Sequence, residues 1–545
     1  MLLHEAVGRA LVAHGVDTMF GLVGDGNLFV VDSYVRHAGG RYVGATHEAN
    51  AVHMAHGYAV LSDRIGVATV THGPGVTNTL TALVEARKAA VPLVLVCGDT
   101  DSLDRDGPQV IGQRDLVLPT GAGVEQVRSA QTALEDLSTA LRRARTERRP
   151  VVLNLPAELV HAEVDFVDQR VELPAEARLA LDDGQLDIAV GMLASAQRPL
   201  ILAGRGARGA ATSLSALAAR IGAPVATTLG AKDLFRDDEA NLGIFGTLAS
   251  PAGLDAITKA DCVFAFGASL NRYTTVKGSL LADKTVIHCD LDVGRLGRLA
   301  EIDAAVVGDA GDVAETVVAW LNEAEIPSSS FRATIFAEGS RDREESLLAM
   351  PVAGGGRVAE GGRVDVRTAL RAIDAAVERD RTFVTDAGRY LAVAWPEVHV
   401  DHPDHFLFTV SFGAIGTGVG SAIGAALARP DHPALLVCGD GGLMLGGLAE
   451  LSTVSRLGLD LVVVVCNDSA YGAEYVQLAG ADLSPGLTEF SWPSFEALAG
   501  AMGFEAITVN DAEDLGTAVE RIRARTGPML VDIKLDPAAM PDVAH

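Results

Sequence analysis

The chain has 545 residues, and at about 150 residues per domain that length points to three or four domains. Against 71 acidic residues stand only 44 basic ones, a formal net charge of −27; such a surface repels phosphate backbones and anionic lipid, which argues against nucleic acid and membrane as partners. Hydrophobic residues at 48 % with aromatics at only 5 % give the Ala-, Val-, Leu- and Gly-rich look of a large α/β protein with ample core.

The opening residues, MLLHEAVGRALVAHGVDTMF, carry His4, Glu5 and Arg9 among helically spaced apolar positions. They read as an amphipathic helix rather than a signal peptide. From there apolar β-rich runs alternate with helical patterns. RIGVATVTHGPG, VPLVLVCGD and PVVLNLP come first, RPLILAG, DCVFAFG and KTVIHCDLD next, PALLVCGDG and LDLVVVVCND last. Continuous Val/Leu/Ile runs, each followed by a helix, mark strands buried on both faces of parallel sheets. Two charged or Ser/Gly/Arg-rich breaks, at about 163–186 and 325–365, divide the chain into segments 1–165, 186–325 and 360–540. The first and third segments echo each other: VATVTHGPGVTNTLTALVEARKAAVPLVLVCGDT and ALLVCGDGGLMLGGLAELSTVSRLGLDLVVVVCNDS share the layout strand, glycine loop, helix, strand. Two related domains are expected to flank a different middle one. No apolar run reaches the length of a membrane span, and the five cysteines show neither disulfide nor zinc-site spacing. A cytoplasmic protein is expected.

Gly439-Asp440-Gly441 ends one apolar run, and after 24 residues Cys466-Asn467 ends the next. A right-handed βαβ crossover puts both strand ends on one sheet edge, so Asp440 and Asn467 can offer oxygens to one ion, a set that suits Mg²⁺ or Ca²⁺. Gly439, Gly441 and Gly442 admit a bulky anion to the backbone, and a helix beginning near Leu443 would present free N–H groups to it. An anion beside Mg²⁺ suggests a diphosphate. An ordinary strand-to-helix turn is the plain alternative for GDG alone; the distance to Asn467 favours the diphosphate.

GDG, 24 residues and then Asn closely resemble the signature of the thiamine-diphosphate superfamily of acetolactate synthase, pyruvate decarboxylase and benzoylformate decarboxylase. The usual Asn-Asn is here Cys466-Asn467. GATHEANAVHMAHGYAV, THGPGVTNTLTAL and SFGAIGTGVGSAIGAALA resemble further family segments in the same order. The resemblance implies three doubly wound parallel-sheet domains in the thiamine-diphosphate-binding fold. It implies Mg²⁺ held by Asp440, Asn467 and the backbone oxygen of Ser469, with Pro74, Asn78, Gly388, Arg389, Tyr390, Tyr471 and Gly472 also at the cofactor. Glu48 would protonate the aminopyrimidine ring from an apolar setting, Ile415 would bend the cofactor, and the Gly413 carbonyl would accept from its 4′-amino group. The resemblance further implies a homodimer or homotetramer with the site shared between chains.

On the substrate side, Asp25 in GLVGDGNLFVVD resembles a proton-transfer residue of pyruvate decarboxylases, or is a turn Asp between glycines. Gln113 stands where acetolactate synthases carry a Gln, and His72 in THGPG lies by the cofactor loop unless it is a hydrogen-bonded structural His. Glu474 falls near the decarboxylases' second Glu if one residue is inserted, or is a solvated helix residue. GxGxxG at Gly204, Gly206 and Gly209 follows a strand, but the next strand, APVATTLG, ends without the ribose-binding acid of a dinucleotide site, so a structural turn is expected. FAD in this middle domain is possible but not expected, because little chain follows PMLVDIKLD to form an arm over the site. The expected activity is decarboxylation of a 2-oxo acid and ligation of the resulting enamine to a second carbonyl compound. The alternatives are a simple 2-oxo acid decarboxylase and, from another class, a nucleotide-binding regulatory protein.

Overall fold

A computed structural model describes residues 1–101, 103–104, 106–167, 179–339 and 363–540. The centres of both expected linkers, 168–178 and 340–362, lie outside the described residues, as does the expected domain boundary at 360. Two compact units form: one from residues 1–167, 363–394 and 405–540, the other from 179–339 and 395–404.

The larger unit holds two six-stranded parallel sheets. The first contains β1 (Thr18–Gly21), β2 (Arg41–Gly44), β3 (Gly66–Val70), β4 (Leu93–Asp99), β5 (Gly123–Gln126) and β6 (Pro150–Pro156), in the order β2-β1-β3-β4-β6-β5. The smaller unit holds β7 (Pro199–Ala203), β8 (Val225–Thr227), β9 (Asn241–Ile244), β10 (Cys262–Phe266), β11 (Thr285–Asp290) and β12 (Ala304–Val307), in the order β12-β11-β10-β7-β8-β9. The larger unit's second sheet contains β13 (Thr382–Thr385), β14 (Phe406–Phe408), β15 (Ala434–Gly439), β16 (Leu461–Asn467), β17 (Glu505–Val509) and β18 (Met529–Lys534), in the order β14-β13-β15-β16-β18-β17. Counted within each sheet, the first and last both read 2-1-3-4-6-5, whereas the middle one reads 6-5-4-1-2-3. The echo seen in the sequence is thus an identity of topology. The apolar runs are central strands: every residue of β3, β6, β7, β10 and β16 is buried, as helices on both faces require. All five cysteines are buried free thiols, and no described helix is long and apolar enough to cross a membrane.

Within the larger unit the helix Glu48–Ser62 crosses the helix Gly418–Ala428 at very short range. A Cβ at Gly57 would stand 2.0 Å from the Ser421 carbonyl oxygen, and one at Gly424 1.8 Å from that of Met54. Backbone meets backbone there, so any larger residue would force the two helices apart. His53 and His56 are buried in the same helix, 3 % and 1 % exposed, and both ring nitrogens of His56 lack a hydrogen-bond partner. Burial lowers His53 to about 3 and His56 to about 4. The unfolded chain binds protons at these residues below about pH 6.5, and the folded chain does not until far lower. Stability is therefore expected to fall as pH drops from 6.5 towards 4, by roughly 1 kcal/mol per pH unit for each histidine. Urea unfolding at pH 7 and pH 5 measures the slope, which His56→Leu should reduce; equal slopes in parent and variant would show that His56 is not the source.

Candidate active site

In sheets of this order the topological switch points are β1/β3 and β13/β15, and the loops leaving their carboxyl ends form the crevices where ligands bind. Many of the sequence-predicted residues gather at these two places; Glu48 heads the helix after β2, and Glu474 lies elsewhere. Beyond β15, Gly439 pairs in register with Cys466 of β16, which brings Asp440 beside Asn467. The chain turns helical at Asp440 itself, three residues before the expected start, and widens into a π-helical turn over Leu443–Gly447. Two glycines in that turn, Gly446 and Gly447, weaken ordinary helix geometry. Such turns recur at functional sites.

Asp440 is 2 % exposed, and its Oδ2 accepts the Trp492 indole N–H at 2.7 Å. Burial pushes its carboxyl up to about 6. Neighbouring Asp468 is pushed to about 7, first by burial and then by the Asp440 charge. Asn467 donates through Nδ2 to Asp532 at 2.8 Å and turns Oδ1 to the Ser469 N–H and hydroxyl, each at 3.2 Å. Ser469 has a left-handed φ of +56°, an uncommon conformation for a residue with a side chain, and its carbonyl accepts from Phe490 N–H at 2.8 Å. Tyr471 packs over Gly441, where a Cβ would meet the ring at 2.6 Å. A buried carboxylate, Asp440, with an amide and a carbonyl oxygen alongside, is a donor set that a hard divalent cation would satisfy. Among the described residues no group of three or more His, Cys, Asp and Glu is placed to hold a metal; the expected set needs none, since it relies on Asn467 and a carbonyl.

The loop after β13 completes this edge. Tyr390 is buried, donates its hydroxyl to the Asp386 carbonyl at 2.7 Å, and lies against Gly439. A Cβ at Gly388 would strike the Tyr390 ring. Arg389 is buried and donates to the carbonyls of Pro537 and Met540 at 2.9 and 2.5 Å, with its stem against Gly472. Segment 411–417, which contains Gly413 and Ile415, is held by two carboxylates that sequence reasoning missed. Glu85 accepts from Ser411 N at 3.0 Å and Phe412 N at 2.6 Å. Asp386 accepts from Gly416 N at 2.9 Å and the Thr417 hydroxyl at 3.1 Å. Gly413 takes φ +84° with open space around it, and Ile415 is half-buried.

Glu48 is the first residue of its helix, and its Oε2 accepts from Asn78 Nδ2 at 3.0 Å. Pro74, also in the expected set, begins the short helix that ends just before Asn78. The Glu48 carboxylate is partly exposed, not sunk in the apolar setting expected. Glu450, another residue missed, reaches from beyond the π-helical turn to the residues just before Glu48.

At the β1/β3 edge Asp25 accepts from the Thr71 hydroxyl at 2.7 Å, which holds its carboxyl below the ordinary range. His72 lies beside it, with Nδ1 buried and lacking a hydrogen-bond partner. Gln113 is 3 % exposed: its Oε1 accepts from Gly73 N at 2.8 Å, and its Nε2 donates to Gly98 O at 3.0 Å and Asn154 Oδ1 at 3.2 Å. These contacts lock the THGPG loop to β4 and β6. Glu474 stands apart, exposed on the first turn of the helix Gly472–Gly480. Gly204 and Gly206 of the glycine turn lie against the protein's own backbone: a Cβ at Gly204 would lie 2.3 Å from the Gly267 carbonyl oxygen.

Asp440 beside Asn467 at a glycine-bordered strand end, with a glutamate at a helix start, is the arrangement expected of a thiamine-diphosphate site, and comparison with known proteins shows that family. The model "Thiamine pyrophosphate enzyme, N-terminal TPP binding domain" matches residues 1–118, the central-domain model 186–317, and the C-terminal TPP binding domain model 386–533. The chain belongs to the thiamine pyrophosphate enzyme family and is a thiamine-diphosphate-dependent enzyme, which sets aside the regulatory-protein alternative. It is 30 % identical to a sulfoacetaldehyde acetyltransferase of Alcaligenes xylosoxydans over 95 % of this chain and 89 % of that one. It is 28 % identical to a probable acetolactate synthase large subunit of Methanocaldococcus jannaschii, over 99 % and 93 % of the two chains. Identity to the acetolactate synthase large subunit of Corynebacterium glutamicum is 26 %, over 97 % and 86 %.

Proposed function

We propose that the protein uses thiamine diphosphate and Mg²⁺ to decarboxylate a 2-oxo acid and transfer the remaining fragment to a second carbonyl compound, as its acetolactate synthase-like relatives suggest. The observation that carries the reading is the pairing of Asp440 with Asn467 at adjacent strand ends, in a chain that also starts a helix with Glu48. Asp440, Asn467 and the Ser469 carbonyl would hold the metal. Gly439, Gly441 and Gly442 would admit the diphosphate, flanked by Gly388, Arg389, Tyr390, Tyr471 and Gly472. When bound, the cofactor would supply a nucleophilic carbon that adds to the 2-oxo group and a cationic ring that accepts the electrons left by decarboxylation. The chain's own residues bind, orient and manage protons. Glu48, held by Asn78, would share a proton with the aminopyrimidine; Pro74 would lie beside the cofactor, the Gly413 carbonyl would accept from the amino group, and Ile415 would be the cofactor's apolar support. Asp25 and His72 form a pair suited to move a proton at the substrate, and Gln113 holds the loop that carries His72. Functional division at 1–165, 186–325 and 360–540 goes with this reading, as does a cytoplasmic location.

The same Asp25–His72 pair favours the second reading, a simple decarboxylase that protonates and releases an aldehyde. Purified protein, cofactor, Mg²⁺ and a panel of 2-oxo acids, with and without acceptor aldehydes, distinguish the two: 2-hydroxy ketones support the first and aldehyde alone the second. No turnover of any 2-oxo acid would overturn both. We further propose a dimer or tetramer with each site shared between chains. The partly exposed Glu48 carboxylate and the exposed apolar Phe412 and Leu445, 44 % and 64 % exposed, support it. Sedimentation of a fully active monomer would refute it.

A further inference from the structure

Glu450 is a carboxylate with no exposed surface. A buried carboxylate is costly unless hydrogen bonds hold it. Here one oxygen takes all the bonds. Oε1 accepts from Thr46 N at 2.7 Å, from the Thr46 hydroxyl at 2.7 Å and from His47 N at 3.3 Å. Oε2 is buried without a partner. Nothing in general core packing calls for such a group. The three donors belong to the two residues that lead directly into Glu48. Two residues after Glu48, Asn50 Nδ2 donates to the Gly446 carbonyl at 2.8 Å. The start of the Glu48 helix is thus bracketed by two contacts, and both come from the segment that runs from Asp440 through the Leu443–Gly447 turn to Glu450.

We propose that Glu450 is a positioning residue for Glu48: it fixes the turn before that helix against the segment that follows the diphosphate loop, and so sets where the Glu48 carboxylate can reach. The inference rests on Glu48 acting on the aminopyrimidine, and it adds the residue that aims it. Charge is not the operative property of Glu450; an acceptor oxygen at that spot is.

The test compares Glu450→Ala, Glu450→Gln and Thr46→Val with the parent, and uses Glu48→Gln as control. Backbone amide exchange of the peptide containing Thr46 and His47 is measured in cofactor-free protein, and hydrogen–deuterium exchange at C2 of thiamine diphosphate is measured in loaded protein. Glu450→Ala is expected to speed the amide exchange and to slow C2 exchange about 10- to 100-fold, the usual cost of misplacing a reacting group by about an ångström. Its cofactor affinity should stay within about threefold, since affinity rests on metal and diphosphate contacts. Glu450→Gln keeps an acceptor oxygen and should restore C2 exchange to near the parent rate. Thr46→Val removes one donor at constant volume and should fall between, which keeps the test decisive if the alanine variant does not fold. Parent-rate C2 exchange in Thr46→Val and Glu450→Ala, or a glutamine variant as slow as alanine, would overturn the proposal. If Glu48→Gln itself leaves C2 exchange unchanged, the reading of Glu48 fails instead.

Discussion

Asp440→Ala is expected to abolish metal-dependent cofactor binding while leaving the fold in place. Asp440 is the one carboxylate in the proposed ligand set, beside the neutral oxygens of Asn467 and Ser469. Loss of an outer-shell partner typically costs about 10- to 100-fold in metal affinity, so loss of the charged ligand should exceed that range. The fold should survive because the carboxylate is a burden without its cation: burial raises it to about 6. Removal leaves the Trp492 indole N–H without its acceptor, a cost of about 1–3 kcal/mol, partly offset by the relief of a buried charge. Calorimetric titration of thiamine diphosphate at fixed Mg²⁺, together with thermal unfolding of the cofactor-free protein, measures both halves of the expectation. Parent-like affinity in the variant would remove Asp440 from the metal site.

Glu48→Gln is expected to behave in the opposite way, with affinity kept and chemistry lost. Glutamine preserves size and can still pair with Asn78, but it cannot hold or release the ring proton in the carboxylate's manner. Positioned acid–base groups contribute about 10²–10⁴-fold, so C2 exchange should slow by that order. The loss should fall on the chemical step rather than on binding, as for an interaction made chiefly in the transition state. Equal C2 exchange in parent and variant would leave Glu48 as a helix-start carboxylate that serves the dipole.

The expected contrast between the two variants would reflect a division of labour along the chain. Glu48 leads a helix that packs backbone to backbone on the helix Gly418–Ala428, and Asp440 opens the segment that passes through the π-helical turn to Glu450. The residues proposed for proton handling and anion binding are thereby carried by different sheets of the same topology.

Periodicity and spacing along the sequence determined the most apolar strands, the doubling of one domain type around another, and the pairing of Asp440 with Asn467; the helix start at Glu48 came from the family resemblance. All of these are local signals. A strand buried on both faces must be continuously apolar, and two strand ends joined by one crossover must lie on the same edge. Only the tertiary structure decided the rest. Thr46 and Glu450 are 404 residues apart, and Ser411 and Glu85 are 326 apart. Each of those carboxylates is, in sequence, a lone acid in a helical pattern, indistinguishable from a solvated one. Trp492 reads as one more aromatic until its indole is seen on Asp440. Gln113 looked like a residue facing substrate, yet both ends of its amide are bound within the protein. A side chain's partners depend on which distant backbone groups need satisfying once the sheets are stacked, and no periodicity records that.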